Sequence, residues 1–187
     1  MPTISQSMHT KLLILDLDET LVFASEEKLA RTEDFQVAPY FVYKRPGVER
    51  FIEFAFTHFE VAVWTSSSSN YAKELIDQIF QQPDRLQFVW ARERCTRKSD
   101  PESGTSYWIK DLKKVRRLGR SLEGVLVVDD SPGKLERSYG NHIHIRPFEG
   151  DPRDDDLRKL QAYLLWLKDV PNVRLLDKRD WRTTLVA

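Results

Sequence analysis

Two aspartates, Asp16 and Asp18, stand two positions apart at the end of the apolar run Leu12–Leu15. The run has the length and composition of a buried central strand, in which residues i and i+2 point to the same face. Neighbouring carboxylates repel each other unless a cation, a proton or hydrogen-bond donors lie between them. Open α/β sheets bind ligands at the carboxyl ends of their strands. The pair therefore indicates a functional site, and the alternative is an acidic turn in which Asp18 or Glu19 caps the next element.

Three further polar segments lie where a sheet of this kind would place a site. They are Trp64–Ser67, Lys110 and the pair Asp129–Asp130. Each has an inert explanation when it is taken alone: Thr65 as a helix cap, Lys110 as a solvated surface lysine, and the aspartates as the start of a turn. The acidic pair is harder to explain in this way, because it closes a second apolar run. A doubly wound sheet would gather all of these segments near its carboxyl edge.

Apolar stretches alternate with helical periodicity along the chain. Strands are predicted at Leu12–Leu17, Phe59–Trp64, Gln87–Trp90, Val125–Val128 and His142–Ile145. Helices are predicted from Pro46 onward, from a cap at Ser68 or Ser69 to Ile79, at Asp111–Leu118 and at Asp154–Lys168. This alternation predicts an α/β fold with a doubly wound parallel sheet of about five strands.

Two segments and the tail depart from this rhythm. Residues 23–44 carry strand-like stretches at Phe35–Val37 and Tyr40–Tyr43, which predict a small β-hairpin insert. Residues 94–105 are polar and contain Pro101 and Gly104, which predicts a loop. The tail at 171–187 is expected to dock on the surface. We therefore expect a single domain over 1–187, with a core at about 11–168.

The composition limits the classes of protein that need consideration. The chain has 187 residues, 41% hydrophobic and 31% charged, and 29 lysines and arginines balance 29 aspartates and glutamates. A balanced charge argues against bulk attraction to nucleic acid or membranes. The lone Cys95 excludes an internal disulfide and favours a reducing compartment, so we expect a cytoplasmic protein, or a nuclear one in a eukaryote. Residues 1–10 do not resemble a signal peptide, and no apolar stretch is long enough to span a bilayer.

The order of the motifs resembles a known superfamily. The motifs are DLDET at 16–20, WTSSSSNYA at 64–72, Lys110 and VVDDSP at 127–132. This order is similar to that of the haloacid dehalogenase superfamily. Within it, the chain resembles the FCP/SCP, or NLI-interacting-factor-like, branch of phosphatases, whose members act on phosphoserine in the carboxy-terminal domain of RNA polymerase II. Branch markers are KRPG at 44–47, RERC at 92–95 and KDL at 110–112. The resemblance covers about residues 11–168 and implies a core without a large cap.

The resemblance implies a role for each motif residue. Asp16 would be the nucleophile, which forms an aspartyl-phosphate, and would also bind Mg²⁺. Asp18 would act as general acid and then general base, and its backbone carbonyl would bind the metal. Asp130 is the further expected metal ligand, and Asp129 would orient Lys110. Substrate contacts are expected from Thr20, Thr65, Ser66, Arg92 and Lys110, with Thr65 and Lys110 holding the phosphoryl oxygens.

Three hypotheses about the substrate follow. The first is a phosphoprotein, on serine, threonine or tyrosine, because a small insert leaves the site open. The second is a small metabolite or nucleotide, which would need an enclosing lid. The third is a catalytically inactive binding module, which the presence of every motif residue disfavours. A nucleic-acid substrate is disfavoured, because the chain has no stripe of basic residues that would bind the phosphate backbone. Glu26 and Glu27 would disfavour an acidic peptide, and Arg97 and Lys98 are candidates for contact with the substrate.

Overall fold

Five parallel strands form the centre of the computed structural model, which describes residues 10–100 and 104–183. The strands are β1 (Leu12–Leu15), β2 (Val22–Ser25), β3 (Phe35–Val37), β4 (Tyr40–Lys44), β5 (Glu60–Trp64), β6 (Val89–Trp90), β7 (Thr96–Ser99), β8 (Ser106–Ile109), β9 (Val125–Asp129) and β10 (His142–His144). The α-helices are α1 (Val48–His58), α2 (Ser69–Ile79), α3 (Lys113–Arg116) and α4 (Asp156–Leu167). The central sheet has the order β10-β9-β1-β5-β6, with parallel neighbours throughout. This confirms the predicted parallel sheet of five strands.

Alternate residues of the central strands face two separate cores. Leu13 and Leu15 contribute to the larger core, together with α1, α2 and α4, whereas Leu12 and Ile14 contribute to a smaller core that includes α3. Burial on both faces explains why β1 is a continuous apolar run rather than an alternating one. Each fully buried leucine contributes roughly 1.5–3 kcal/mol to stability. The helices on both sides make the sheet doubly wound, as predicted.

The register of the sheet brings the ends of three strands to one level. Leu15 of β1 lies beside Val63 of β5 on one side and Val128 of β9 on the other. The residues that follow these positions therefore emerge at the same carboxyl edge. This edge receives Asp16 from β1, and the backbone N–H of Asp16 donates to the carbonyl of Val128 at 3.0 Å.

The insert and the segment 94–105 differ from the predictions. The insert is a three-stranded antiparallel sheet of order β2-β4-β3, so β2 adds a strand to the predicted hairpin. The loop prediction for 94–105 is wrong over Thr96–Ser99, since these residues form β7, which pairs antiparallel with β8. The strand β7 carries the polar sequence TRKS, and pairing with β8 compensates for its low intrinsic propensity. Pro101, which led to the loop prediction, lies outside the described residues, as do most of residues 1–10, which were expected not to form a signal peptide.

The predicted helices exist with shifted ends. Helix α1 begins at Val48 rather than Pro46, because Gly47 precedes it with a left-handed φ of 79°. The third helix is shorter than predicted: Asp111 lies before α3, and its Oδ1 accepts from the N–H of Lys113 at 3.0 Å. Ser68 is the N-cap residue of α2, but its side chain makes no capping hydrogen bond. Local start signals therefore located these helices to within a few residues only.

The carboxy-terminal tail is part of the core rather than a surface attachment. Trp181 is 1% exposed, and its Nε1 donates to the carbonyl of His144 in β10 at 2.7 Å. Its ring contacts Tyr163 of α4, with ring centroids 5.9 Å apart. Val173 is also buried. The expectation of a surface-docked tail is thus wrong up to residue 183, because one aromatic side chain closes the larger core.

Arg45 joins three parts of the chain around the loop that follows Asp18. Its side chain is fully buried, and it donates to both carboxylate oxygens of Asp154, at 2.7 and 2.8 Å. It also donates to the carbonyl of Thr20 at 3.1 Å. Bidentate pairing of this kind combines strength with a fixed orientation. Arg45 therefore holds the loop at 19–20 against the segment that precedes α4.

Replacing Arg45 with methionine should destabilise the fold strongly. The variant leaves the Asp154 carboxylate and the carbonyl of Thr20 without their partner, and breaking a buried pair in this way costs about 3–5 kcal/mol. Urea unfolding of both proteins measures the difference in the free energy of unfolding. Arg158→Met is the matched control, because it removes only the exposed pair with Asp155 and should have little effect. Equal losses in the two variants would show that Arg45 has no special structural role.

Candidate active site

Four of the predicted residues lie together and buried at the carboxyl edge of the sheet. They are Asp16 after β1, Thr65 after β5, Lys110 after β8 and Asp129 at the end of β9. Each is at most 1% exposed. Charged side chains are rarely this buried unless they pair with an opposite charge, bind a metal or take part in a functional site. The topology of the sheet therefore assembles residues from four distant parts of the chain.

Lys110 connects two of the aspartates. Its Nζ lies 2.5 Å from Oδ2 of Asp129 and 3.0 Å from Oδ1 of Asp16. This places Asp129 where it orients Lys110 toward Asp16. Burial raises the pKa of Asp129 to about 6, against the pull of Lys110 and with a further contribution from Asp16.

Lys134 is a second cation in the site that the sequence did not reveal. Its Nζ lies 2.9 Å from Oδ2 of Asp16, so each oxygen of Asp16 contacts a different lysine. Burial alone would raise the pKa of Asp16, but the charges of Lys110 and Lys134, with their hydrogen bonds, hold it below its ordinary value. The carboxylates likewise raise the pKa of Lys134, although burial opposes them. The two lysines thus hold Asp16 in its ionised form.

Asp18 occupies a different environment from Asp16. Strand β1 ends at Leu15, and the chain then turns, so the two aspartates do not share the face of one strand as predicted. The carboxylate of Asp18 accepts from the hydroxyl of Ser67 at 2.6 Å and from that of Tyr71 at 2.7 Å. Burial raises its pKa, although both hydrogen bonds oppose the increase. Environments that push two pKa values apart separate a nucleophile from an acid.

A tight turn carries Asp18 away from the sheet. The carbonyl of Leu17 accepts from the N–H groups of Thr20, Leu21 and Val22. Glu19 adopts a positive φ of 53°, a conformation that commonly accompanies functional constraint. Burial, followed by the charge of Asp18, raises the pKa of Glu19 to about 7. The buried hydroxyl of Thr20 has no hydrogen-bond partner in the described part of the chain.

Three carboxylates form a group that fits a hard divalent cation. One oxygen from each of Asp16, Asp129 and Asp130 lies within 4.8 Å of the others. The buried Oδ1 of Asp130 has no hydrogen bond within the described residues. Carboxylate oxygens are the ligands that Mg²⁺ prefers. The structure thus brings the predicted ligands Asp16 and Asp130 together and adds Asp129 to them. Metal binding by the backbone carbonyl of Asp18 stays a prediction.

The remaining predicted contacts lie around a neighbouring cleft. A cavity of about 450 Å³ between the insert and α2 is lined by Asp18, Tyr40, Tyr71 and Arg92 among others. Arg92 donates to the carbonyl of Ser66 at 2.7 Å. The hydroxyl oxygen of Thr65 accepts from the N–H of Ser67 at 3.0 Å. Their contacts with substrate stay predictions.

The two basic residues of the β7–β8 hairpin make other contacts. Arg97 donates to the Ser106 hydroxyl and Lys98 to Glu136. Both contacts hold the hairpin to itself or to the segment that follows β9. Their suggested contact with substrate stays a prediction.

Three further residues lie at the site without a sequence pattern that assigns them to it. Ser67 and Tyr71 hydrogen-bond to Asp18, and Lys134 contacts Asp16. The spacing of Tyr71 after Thr65 was the one available signal, since it places both near the start of the same helix. Lys134 follows a Pro-Gly turn and has no pattern that marks it.

The fold is that of haloacid dehalogenase-like hydrolases. The sequence pattern of the NLI interacting factor-like phosphatase family matches residues 11–174, and the chain belongs to this family. The resemblance stated from the motifs is thereby confirmed. The protein is a phosphoric monoester hydrolase.

Several known phosphatases are similar to this chain in sequence. CTD nuclear envelope phosphatase 1B of Danio rerio is 30% identical over 189 residues, covering 93% of this chain and 74% of that protein. Phosphatase PSR1 of Saccharomyces cerevisiae is 35% identical over 155 residues, covering 79% of this chain and 34% of that protein.

Solved structures share the fold at lower identity. The RNA polymerase II CTD phosphatase Fcp1 of fission yeast has a TM-score of 0.58 at 16% identity, and the match covers 91% of this chain and 54% of that one. This chain therefore spans about half the length of the Fcp1 chain in that structure. A haloacid dehalogenase-like hydrolase from Xanthomonas campestris has a TM-score of 0.55 at 12% identity, covering 85% and 96% of the two chains. None of the α-helices in the described residues has the length and apolar character of a membrane span.

Proposed function

We propose that this protein is a Mg²⁺-dependent phosphoprotein phosphatase that works through an aspartyl-phosphate on Asp16. The observation that carries the proposal is the contrast between Asp16, which two lysines keep ionised, and Asp18, whose pKa burial raises. One carboxylate is suited to attack and the other to donate a proton. A cytoplasmic or nuclear location is part of the proposal and rests on the single cysteine.

The first step transfers the phosphoryl group to the enzyme. A carboxylate oxygen of Asp16 bonds to phosphorus, the bond from phosphorus to the side-chain oxygen of the substrate breaks, and Asp18 gives its proton to that oxygen. Lys110, which already contacts Asp16, would balance charge on the transferring group. Bound at Asp16, Asp129 and Asp130, Mg²⁺ would supply charge shielding for the phosphate ester.

The second step regenerates the enzyme. Asp18, now a carboxylate, takes a proton from water while the water oxygen bonds to phosphorus. The bond between phosphorus and Asp16 breaks, and phosphate leaves. Ser67 and Tyr71 hold the Asp18 carboxylate in place through both steps. Their role is to keep Asp18 oriented toward the position of the leaving group and then of water.

A protein substrate is favoured by the cleft beside Asp18. The insert is small, at 22–44, and the cleft of about 450 Å³ that it forms with α2 would leave room for residues beside a phosphorylated side chain. Arg92 and Tyr40 offer a charge and a ring along this cleft. The names of several relatives, such as CTD nuclear envelope phosphatase 1B and a probable C-terminal domain small phosphatase, also support a protein substrate.

Phosphate release from a panel of substrates tests the proposal. Phosphoserine, phosphothreonine and phosphotyrosine peptides are compared with phosphorylated metabolites and nucleotides, in Mg²⁺ and after chelation with EDTA. We expect kcat/KM to favour peptides and activity to disappear with EDTA. A preference for a metabolite would show that the insert encloses small substrates and would contradict the phosphoprotein role. Full activity in EDTA would contradict the metal.

A further inference from the structure

Lys134 places an ammonium group among the three carboxylates expected to hold the metal. Its Nζ lies 2.9 Å from Asp16 Oδ2 and 3.8 Å from one oxygen of each of Asp129 and Asp130. These three aspartates are the same group whose oxygens are close enough to share a cation. The side chain of Lys134 thus neutralises the acidic group from within the protein.

A metal ion and this ammonium group exclude each other. Mg²⁺ binds carboxylate oxygens at about 2.0–2.1 Å and demands near-octahedral geometry. An ion at that distance from the three aspartates would meet Nζ of Lys134, which contacts the same carboxylates. Two cations this close repel each other. Asp16, whose carboxylate contacts Lys134, is one of the three candidate ligands.

The side chain of Lys134 can leave while its backbone stays. Lys134 belongs to the short 3-10 helix Pro132–Leu135, its carbonyl accepts from the N–H of Lys110 at 2.7 Å, and Leu135 is buried. The side chain, in contrast, is 21% exposed, so it has an open route to solvent. A lysine has a flexible four-carbon stem and a strongly hydrated head, which suits such a movement.

We infer that Lys134 is a built-in counter-ion that holds the three carboxylates in the metal-free enzyme and is displaced into solvent when Mg²⁺ binds. The inference rests on the metal site of the proposed function, but it does not depend on the substrate. Lys134 then lowers the affinity for Mg²⁺ and stabilises the metal-free fold. It also occupies Asp16 until the metal arrives, so that binding of the metal and release of Asp16 from Lys134 are one event.

Calorimetric titration with Mg²⁺ tests the competition without any substrate. Lys134→Met, which keeps the length and removes the charge, should bind Mg²⁺ at least about tenfold more tightly than the unmodified protein. Its melting temperature should fall in EDTA and recover in Mg²⁺. Lys73→Met, on the exposed side of α2, is the control for loss of one positive charge and should leave the affinity unchanged. Equal or weaker binding by Lys134→Met would overturn the inference and leave the phosphatase proposal intact.

Amine labelling of the protein without any substitution tests the displacement of the Lys134 side chain even if the Lys134→Met variant folds poorly. The protein is treated briefly with an acylating reagent, with and without Mg²⁺, and the labelled peptides are quantified by mass spectrometry. Mg²⁺ should increase labelling of Lys134 several-fold relative to the exposed Lys73. Unchanged labelling of Lys134 would overturn the inference. Absence of Mg²⁺ binding by both proteins, with full activity in EDTA, would overturn the inference and the proposed metal together.

Discussion

Asparagine at position 16 should reduce phosphate release by at least about 10³-fold, as expected when a covalent nucleophile is removed. The amide is uncharged and a poor nucleophile, and it cannot balance the charges of Lys110 and Lys134, which both contact Asp16. Initial rates on the best peptide of the panel measure the loss, and circular dichroism shows whether the fold persists.

Asp155→Asn is the matched control for this change. Asp155 is the partly exposed N-cap residue of α4, and it pairs with Arg158 and Lys159 rather than with any residue of the site. Its rate should equal that of the unmodified enzyme. A variant of Asp16 that keeps more than a tenth of the activity would exclude Asp16 as the nucleophile.

Asparagine at position 18 should slow turnover by about 10²–10⁴-fold, the usual contribution of a general acid and base. The side chain keeps its size and its proximity to Ser67 and Tyr71, but it has no proton to give and cannot activate water. The size of the loss should depend on the leaving group. An aryl phosphate needs little protonation, so its first step should remain fast while the second is slow.

Rapid mixing with an aryl phosphate distinguishes the two roles. The Asp18→Asn enzyme should show a burst of one aryl alcohol per enzyme followed by a slow phase, whereas a phosphoserine peptide should show no burst. Tyr71→Phe is a milder companion that keeps the acid and removes one of its two hydrogen bonds. A uniform loss on all substrates without a burst would contradict the acid-base role of Asp18.

The parts of the fold set by repeated patterns were predictable from the sequence. The apolar runs of β1 and β9 predicted buried parallel strands, and their shared carboxyl edge predicted that Asp16 and Asp129 would meet. The spacing of apolar residues determines such features, because the apolar face or faces of each strand or helix must be buried in the core.

Features that depend on single distant contacts were not predictable. Strand β7 has a polar sequence and forms because β8 pairs with it. Trp181 lies in a weakly patterned tail, yet one aromatic ring fills a gap beside Tyr163. Lys134 lies 118 positions from Asp16, and only the assembled sheet brings their charges together.

The most direct test of the account is the identification of the phosphorylated residue. The Asp18→Asn enzyme is mixed with Mg²⁺ and an aryl phosphate, quenched in acid, and analysed by intact mass and peptide mapping. We expect one added phosphoryl group, located on Asp16 and absent when Asp16→Asn is combined with Asp18→Asn. A phosphoryl group on another residue would contradict the role of Asp16 as nucleophile. A burst of product that leaves no phosphoryl group on the enzyme would contradict it as well.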